Sequence, residues 1–256
     1  MVEEQLRDLS VVEVRAKTVL SKSGIPGADY CINPYIGCAH RCVYCYATFM
    51  KKYSGHTEEW GTFADAKVNA PEVLDRQLKR SRKGCVILSS VTDPYQPAEA
   101  EYHLTRRCLE ILSRHQWPVD VLTKSPLVLR DIDVLAGFDE VAVGLTVTTG
   151  DERIRRIFEP GAPPIADRIE ALRKLRRRGI RTYAFIGPLL PMDPDRLARE
   201  LVPAVSHVFI DRMNYLSKTR ALFEKLGLSL WLDRSFTQGI IERLRSVFDG
   251  KAEAVC

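Results

Sequence analysis

Three cysteines near the start of the chain stand at a spacing that suits a metal centre. Cys38, Cys42 and Cys45 follow a C-x3-C-x2-C pattern. Each thiolate of such a loop can bind one iron of a [4Fe–4S] cluster, which leaves the fourth iron open to a substrate or cofactor. Zinc is an alternative, because it takes four ligands and His40 stands between the first two cysteines. Three buried thiols without a metal are the third interpretation, and the spacing favours the cluster.

The remaining cysteines form no second pattern. The chain has 7 cysteines, and Cys31, Cys85, Cys108 and Cys256 are scattered. A long chain with an odd number of cysteines, and with no export signal in its acidic first residues, is not expected to carry a disulfide framework. We therefore predict one metal site, no second cluster and a cytoplasmic location, although Cys31 is still able to lie near the first cluster.

The composition is that of a globular protein rather than a disordered or membrane-spanning one. Of the 256 residues, 45% are hydrophobic and 28% are charged. No apolar run approaches the ~18 residues that a membrane span needs. The net charge of +5 is mild, so it permits a nucleic-acid partner without requiring one.

From about residue 70 onward, short apolar runs alternate with charged stretches of helical spacing. Strands are predicted near 30–36 and at 86–88, 119–122, 141–147, 182–186 and 208–210. Helices are predicted at 71–82, 103–115, 126–136, 163–178, 194–203 and 235–248. The stretch 50–69 carries no clear signal. Six βα units of this kind predict an α/β fold with a parallel sheet, either open or curled.

Five segments between residues 33 and 161 resemble a known family. They are Asn33-Pro34-Tyr35-Ile36-Gly37-Cys38, Cys42-Val43-Tyr44-Cys45-Tyr46-Ala47, Thr92-Asp93-Pro94-Tyr95-Gln96-Pro97, Thr123-Lys124-Ser125 and Phe158-Glu159-Pro160-Gly161. The cysteine spacing, with the aromatic Tyr44 before the last cysteine, is similar to that of the radical S-adenosylmethionine superfamily. Together the segments resemble its spore photoproduct lyase-like family, also described as DNA repair photolyase-related.

This resemblance implies a partial (β/α)6 TIM-like barrel, with a [4Fe–4S] cluster and S-adenosylmethionine at the carboxyl ends of the strands. The methionine amino and carboxylate groups would chelate the open iron. One electron from a low-potential donor of the flavodoxin or ferredoxin type would cleave the sulfonium. The 5′-deoxyadenosyl radical released in this way would abstract a hydrogen atom from the substrate, while the protein supplies orientation and excludes water.

The resemblance also implies roles for residues at the ends of the strands. Those implied for cofactor binding are Tyr44, Ser90, Thr92, Asp93, Lys124, Thr146, Thr148 and Gly187, and those implied for catalysis are Tyr44, Tyr46 and Arg212. The polar residues after strand 86–88 suit the cofactor's ammonium group, Lys124 suits its carboxylate, and Gly187 would let adenine approach the backbone. Ordinary alternatives are a turn at Asp93-Pro94, a solvated lysine or arginine, strand-forming threonines and a loop at Gly187-Pro188.

One position departs from the lyase. The lyase uses a cysteine near the end of its second strand as a hydrogen donor, and Val91 takes that place here. Valine does not donate a hydrogen atom in this way, which puts thymine-dimer repair in doubt. Cys256 is a substitute in principle, although a cysteine at a terminus is more often an incidental exposed thiol.

Three basic runs, at 79–83, 153–156 and 173–178, admit two interpretations. They would either contact the phosphates of a nucleic acid or form the solvated faces of helices. Because no basic stripe is interleaved with aromatic residues, the solvated faces are favoured.

We predict a core at 30–228, an N-terminal extension at 1–29, and a C-terminal helix and tail at 229–256 that covers an open edge. The predicted function is reductive cleavage of S-adenosylmethionine followed by radical modification of a substrate, for which a nucleobase or nucleic acid is the guess by analogy. The alternatives are a non-catalytic iron–sulfur or zinc protein, such as an electron carrier, and a radical enzyme that acts on a protein or small metabolite. The sequence does not indicate the oligomeric state.

Overall fold

The structure, a computed structural model, describes residues 9–248 and 250–255. The strands are β1 (Ser10–Val14), β2 (Leu20–Lys22), β3 (Tyr30–Ile32), β4 (Tyr35–Ile36), β5 (Phe63–Lys67), β6 (Val86–Leu88), β7 (Val119–Thr123), β8 (Val141–Thr146), β9 (Arg181–Ile186), β10 (His207–Asp211) and β11 (Ala252–Val255). The α-helices are α1 (Ala70–Leu78), α2 (Glu99–Tyr102), α3 (Leu104–Arg114), α4 (Ile132–Leu135), α5 (Glu152–Phe158), α6 (Ile165–Arg177), α7 (Pro194–Leu201), α8 (Leu216–Lys225) and α9 (Arg234–Phe248). The 3₁₀ helices lie at Tyr46–Tyr53, Pro126–Asp131 and Ser229–Leu232.

Eight strands form the main sheet, in the order β11-β10-β9-β8-β7-β6-β3-β2. The run from β3 to β10 is parallel throughout, which confirms the predicted βα units. β2 pairs antiparallel with β3 at one edge, and β11 pairs parallel with β10 at the other. Within the described residues these two edges do not pair with each other, so the barrel is partial and open, as expected.

The sheet and its helices share one apolar core. Val143 and Leu145 of β8 are fully buried, because a parallel strand with both faces covered carries apolar residues in succession. Along α6, one stripe that includes Ile169 and Leu172 is buried against the sheet. Gly179 follows the end of this helix, and its φ of +77° is a left-handed conformation that glycine adopts without strain.

The predicted first strand is divided into two. β3 belongs to the main sheet, whereas β4 belongs to a second, three-stranded sheet of order β1-β5-β4. Pro34 lies between them, and proline has no amide hydrogen to continue a ladder. Part of the stretch 50–69, which carried no clear signal, belongs to the second sheet. β5 lies there and pairs with β1 and β4.

Several helices differ from the prediction. The helix expected at 126–136 is a 3₁₀ helix followed by the single turn α4, and the helix expected at 71–82 ends at Leu78. The short helices α2 and α5, and the longer α8, were not predicted. No helix of the described chain is long and apolar enough to cross a membrane.

Both ends of the described chain contribute to the main sheet. β2, from the predicted extension 1–29, forms one edge, and β11, after the predicted helix near 235–248, pairs with β10. The division into extension, core and tail stays a prediction. The prediction for Cys256 lies outside the described residues, as does most of the acidic start of the chain.

Candidate active site

The carboxyl ends of the parallel strands surround a cavity of about 250 Å³. Every site residue predicted from the sequence lines it, except Thr148: Cys38, Cys42, Tyr44, Cys45, Tyr46, Ser90, Thr92, Asp93, Lys124, Thr146, Gly187 and Arg212. The fold therefore brings together residues that are far apart in the sequence, at the end of the sheet where the sites of βα barrels lie.

The loop that carries the cysteines begins after Gly37, which has a left-handed backbone conformation. Gly37 has a φ of +85°, and a Cβ there would lie 2.4 Å from the carbonyl oxygen of Phe63. Only glycine combines that conformation with so close an approach. The amide of Cys45 donates to the carbonyl of Cys42 (3.0 Å), which closes the end of the loop.

The three thiols have surroundings that fit iron. Burial raises the pKa of Cys42 to about 12 and also raises the pKa of Cys38 and of Cys45. A buried thiol becomes a thiolate when a metal ion replaces its proton. Lys124 lies near enough to Cys42 and Cys45 to lower their pKa in part, and its positive charge would offset the negative charge of a thiolate-bound cluster.

His40 does not complete a zinc site with the cysteines. Its Nε2 lies 3.2 Å from Asp93 Oδ2, and its Nδ1 lies 3.3 Å from the carbonyl oxygen of Gly161. In the described part of the chain, no group of three or more His, Cys, Asp or Glu side chains converges to hold a single metal ion. A cubane cluster has no need of such convergence, since each thiolate binds a different iron. The geometry therefore favours a cluster over zinc.

The segment after β6 clamps the cysteine loop. Thr92 Oγ1 and Gln96 Nε2 both donate to the carbonyl of Gly37, at 2.5 and 3.1 Å. The other end of the Gln96 amide accepts from the backbone of Ala39 (3.1 Å). Gln96 is fully buried, so these bonds are shielded from water.

Both carboxylate oxygens of Asp93 accept hydrogen bonds from the protein. Oδ1 accepts from the Tyr95 amide (2.9 Å) and the Thr123 hydroxyl (2.6 Å), and Oδ2 accepts from the Lys124 amide (2.8 Å) beside His40. Burial by itself would raise the pKa of Asp93, but the interaction with His40 and these hydrogen bonds lower it to about 2. Its contacts favour a positioning role, and direct cofactor binding stays a prediction.

A buried ion pair contacts the cysteine loop through Tyr44. Glu159 and Arg168 are both fully buried, with Arg168 Nη1 2.7 Å from Glu159 Oε2. The hydroxyls of Tyr44 and Thr148 donate to the other oxygen, Oε1. Burial alone would raise the pKa of Glu159, but Arg168 and Lys124 lower it to about 2. Thr148 thus lies behind the cavity wall and contacts this ion pair.

The backbone after α5 is joined directly to the cysteine loop. The amide of Val43 donates to the carbonyl of Phe158, and the amide of Gly161 donates to the carbonyl of His40, both at 3.0 Å. A Cβ on Gly161 would lie 2.2 Å from the carbonyl oxygen of Ala39. This close approach explains why the segment 158–161 ends in glycine.

Lys124 presents a cation to the cavity. Burial would lower its pKa, but Cys42 and Glu159 outweigh burial and raise it. Its Nζ lies 5.8 Å from the centre of the Tyr44 ring. A charged ammonium beside the cysteines is placed to pair with an anionic group such as a carboxylate.

The outer rim carries aromatic and polar groups. Tyr46 donates from its hydroxyl to the carbonyl of Ser90, and its ring stacks on Tyr215 with centroids 6.0 Å apart and an angle of 16°. Asn33 Oδ1 accepts from the amides of Ser90 and Val91, at 2.9 and 3.1 Å, and thereby fixes the loop after β6.

The strands β8, β9 and β10 supply the rest of the wall. Thr146 ends β8 and is buried. Gly187 follows β9, and a Cβ there would lie 2.4 Å from the ring of Phe185, so the glycine makes room for that ring. Arg212 donates to Gln238, while its Nη1 is buried with no hydrogen-bond partner among the described residues. An unpartnered guanidinium nitrogen in a cavity wall suits an anionic ligand.

Some site residues were missed by reasoning from the sequence. Glu159 and Gln96 stand in segments that carried the resemblance, but no role was assigned to them. Met213, Asn214 and Tyr215 also line the cavity, and their position after a strand was an available signal.

The basic runs do not take part in the cavity lining. Arg177 pairs with Glu170, Arg155 with Glu152 and Lys79 with Asp75. None of the three runs lines the cavity. The ion pairs of Lys79 and Arg177 favour the interpretation of their runs as helix faces. Arg155 is instead buried and donates to the carbonyls of Glu159 and Ala162.

A profile of the Radical SAM superfamily matches residues 32–202. The chain belongs to the Radical SAM superfamily. Its cofactors are accordingly the [4Fe–4S] cluster and S-adenosylmethionine of that superfamily, and solved structures of similar fold include ones with S-adenosylmethionine bound.

This radical SAM protein has relatives in several kinds of organism. It is 36% identical over 208 residues to an uncharacterized protein of Methanocaldococcus jannaschii, covering 80% of this chain and 78% of that one. It is 30% identical over 161 residues to the radical SAM Nalpha-GlyT isomerase of Pseudomonas phage M6, covering 62% of this chain and 32% of the phage protein.

Solved structures confirm the fold of this radical SAM protein. Spore photoproduct lyase complexed with dinucleoside spore photoproduct aligns with a TM-score of 0.70 at 15% identity, over 95% of this chain and 81% of the lyase. Streptococcus suis SuiB bound to precursor peptide SuiA aligns with a TM-score of 0.59 at 12% identity, over 88% of this chain and 48% of SuiB. The predicted resemblance is thus confirmed, for the superfamily by the profile and for the fold by the likeness to spore photoproduct lyase.

Proposed function

We propose that this protein reductively cleaves S-adenosylmethionine and uses the resulting 5′-deoxyadenosyl radical to abstract a hydrogen atom from a substrate. The observation that carries the proposal is the meeting of three cysteine thiols, Lys124 and Gly187 on one cavity wall. When bound, the cluster and S-adenosylmethionine supply the radical chemistry, and the protein supplies orientation.

Each part of the wall has a proposed task. Cys38, Cys42 and Cys45 hold the iron, and the charged Lys124 pairs with the cofactor's carboxylate. Thr92 and Asp93 keep the cysteine loop and the Lys124 backbone in place through their hydrogen bonds. The hydroxyl of Thr146 and the cavity wall at Gly187 take the ribose and adenine.

For the substrate, we propose a nucleobase, free or within a nucleic acid. The stacked pair of Tyr46 and Tyr215 at the rim offers a face on which a planar base can stack. Arg212 Nη1 offers an unpartnered donor for an anionic group. A spore photoproduct lyase of the same fold binds a dinucleoside spore photoproduct, which adds to this choice.

The reaction we propose differs from thymine-dimer repair. Val91 lines the cavity where the lyase would need its hydrogen-donating cysteine. Among the described residues that line the cavity, the cysteines are the three proposed iron ligands. This supports a transformation that does not depend on a protein thiol to return a hydrogen atom.

The test is anaerobic reconstitution with iron and sulfide, followed by dithionite and S-adenosylmethionine. We expect about four irons per chain and release of 5′-deoxyadenosine, both lost in Cys42→Ala. Cys85→Ala is the matched control, because Cys85 lies at the other end of the sheet, just before β6. One tightly bound zinc and no iron would overturn the proposal, and four irons without nucleoside would favour an electron carrier.

The substrate is tested by adding a single-stranded oligonucleotide and, separately, a peptide mixture. A nucleic-acid substrate should increase 5′-deoxyadenosine release and do so less at high salt, because phosphate contacts are salt-dependent. An increase with peptide and none with oligonucleotide would contradict the nucleobase proposal. We also expect a cytoplasmic location and a protein electron donor.

A further inference from the structure

The 3₁₀ helix Tyr46–Tyr53, directly after Cys45, has exposed aromatic residues that the cavity does not use. Phe49 is 46% exposed and Tyr53 is 77% exposed. Neither residue lines the cavity. Two exposed rings four residues apart on one short helix are available for contact with another molecule.

The geometry of the helix puts several of these groups in one row. In a 3₁₀ helix, side chains at positions i and i+3 eclipse each other. Tyr46, Phe49 and Lys52 have this spacing and are all exposed. Tyr53 adjoins the end of the row. We call Phe49, Lys52 and Tyr53 the outer face of the helix.

The helix that carries the outer face is positively charged. The helix contains Lys51 and Lys52 and no acidic residue. Lys218 adds a third cation at the start of the helix, where its Nζ lies 2.5 Å from the carbonyl oxygen of Cys45 and 2.5 Å from Thr48 Oγ1. The acidic residues that follow are Glu58 and Glu59, and Glu58 is paired with His56 at 3.0 Å.

The outer face lies four to eight residues after Cys45 in the chain. The helix begins at the residue after Cys45, so its backbone is a short covalent route from an iron ligand to solvent. Electron transfer between proteins slows steeply with distance, and a carrier must therefore dock near the cluster. Redox encounters of this kind use small interfaces, and opposite charges on the two proteins accelerate them.

We propose that the outer face docks an acidic, low-potential one-electron carrier protein that reduces the cluster. This inference rests on the proposed function, because only a cluster-bearing chain needs the electron. In the step itself, one electron leaves the reduced carrier and enters the oxidised cluster, and no atom or proton is transferred. Exposed aromatic rings supply the apolar contact, and the lysines attract the acidic carrier.

The test compares two reductants on the same reconstituted protein. Reduced flavodoxin is an acidic protein carrier that has to dock, whereas dithionite is a small molecule that does not. The variants are Lys52→Glu and Phe49→Ser with Tyr53→Ala, and Lys83→Glu is the control. Lys83 is an exposed lysine before β6, at the opposite end of the sheet. Bleaching of the iron–sulfur absorbance gives the reduction rate without relying on turnover.

We expect reduction by flavodoxin to slow by about tenfold in Lys52→Glu at low ionic strength and by a similar factor in the aromatic variant. Reduction by dithionite should match the unmodified protein in both variants, and Lys83→Glu should match it with both reductants. Unchanged reduction by flavodoxin in both variants would overturn the inference and leave the proposed function standing. A chain that takes up no iron would overturn both, and the iron count reveals that outcome before any reductant is added.

Discussion

The inner wall and the outer rim of the cavity are built in different ways. On the inner wall, Glu159, Gln96 and Asp93 are buried, and each has at least one polar contact with the cysteine loop. On the rim, Tyr215 is 46% exposed and its stacking partner is Tyr46, which is itself 42% exposed.

The difference separates two tasks. A cluster and its cofactor need fixed distances, and buried hydrogen bonds hold a backbone to one conformation. A substrate has to enter and leave, so the groups that meet it lie where water also reaches. We infer that changes to the inner wall impair the cofactor site and the fold together, whereas changes to the rim affect the substrate alone.

The sharpest test of the inner wall is Glu159→Gln. The substitution keeps the size of the side chain but leaves the buried charge of Arg168 without its partner. We expect a loss of about 3 kcal/mol in the free energy of unfolding and a lower iron content after reconstitution. Denaturant unfolding and an iron assay measure the two effects.

Glu170→Gln is the matched control for that change. Glu170 is partly exposed and pairs with Arg173 and Arg177 on the surface of α6. Exposed ion pairs contribute little to stability, so the control should unfold close to the unmodified protein. Equal losses in the two variants would contradict the special role of the inner wall.

Gln96→Ala should have the next largest effect. The change removes the bonds to the Gly37 carbonyl and the Ala39 amide. Unsatisfied buried groups cost about 1–3 kcal/mol each, and the loop that carries Cys38 loses its clamp. We therefore expect fewer irons per chain at unchanged α-helix content, measured by iron assay and circular dichroism. Full iron loading of the variant would show that the clamp is dispensable.

Much of the fold was predictable, and so was the candidate iron site, because their signals are local. The strands β6 to β10 are short apolar runs, and the cysteine spacing lies within one loop. β5 gave no such signal, since Phe63–Lys67 contains alanine and aspartate, which are poor strand formers. Its strand character comes from pairing with β1 and β4, which are distant in sequence.

The ion pair of the inner wall was hidden for another reason. Arg168 precedes a run of exposed arginines on α6, and the sequence does not distinguish a buried arginine from a solvated one. Its burial depends on Glu159, which stands in a loop before the helix begins. The rim was predicted only in part. Tyr46 was named, whereas Met213 and Asn214 are not residue types commonly associated with catalysis or binding.

The rim is tested by Tyr215→Ala. Stacking of a base on an aromatic residue is worth about 1–3 kcal/mol, so we expect the oligonucleotide concentration needed for half-maximal 5′-deoxyadenosine release to rise about tenfold or more. Stability and release without oligonucleotide should stay unchanged with dithionite as reductant. Tyr53→Ala is the control, because it removes an exposed tyrosine that does not line the cavity. A loss of iron in Tyr215→Ala would contradict the inference that changes to the rim affect the substrate alone.

The smallest expected effect concerns His56, in the segment that joins the 3₁₀ helix to β5. Its Nε2 lies 2.7 Å from Asp65 Oδ1, and its Nδ1 lies 3.0 Å from Glu58 Oε2. Burial by itself would lower the pKa of His56, but the hydrogen bonds to these two carboxylates outweigh it and raise the pKa above its ordinary value.

Because the folded-state pKa of His56 is the higher one, its stabilisation is fully present below the unfolded pKa of about 6.5. The stabilisation is lost as the pH rises through the folded-state pKa. The difference in unfolding free energy between the unmodified protein and His56→Gln should therefore be larger at about pH 6 than at about pH 9. Denaturant unfolding at both values measures it, and a difference that does not change with pH would show that the charge of His56 contributes nothing. Since His56 contacts neither the cavity nor the cysteines, iron content should not follow this pH dependence, which keeps the test separate from those of the inner wall.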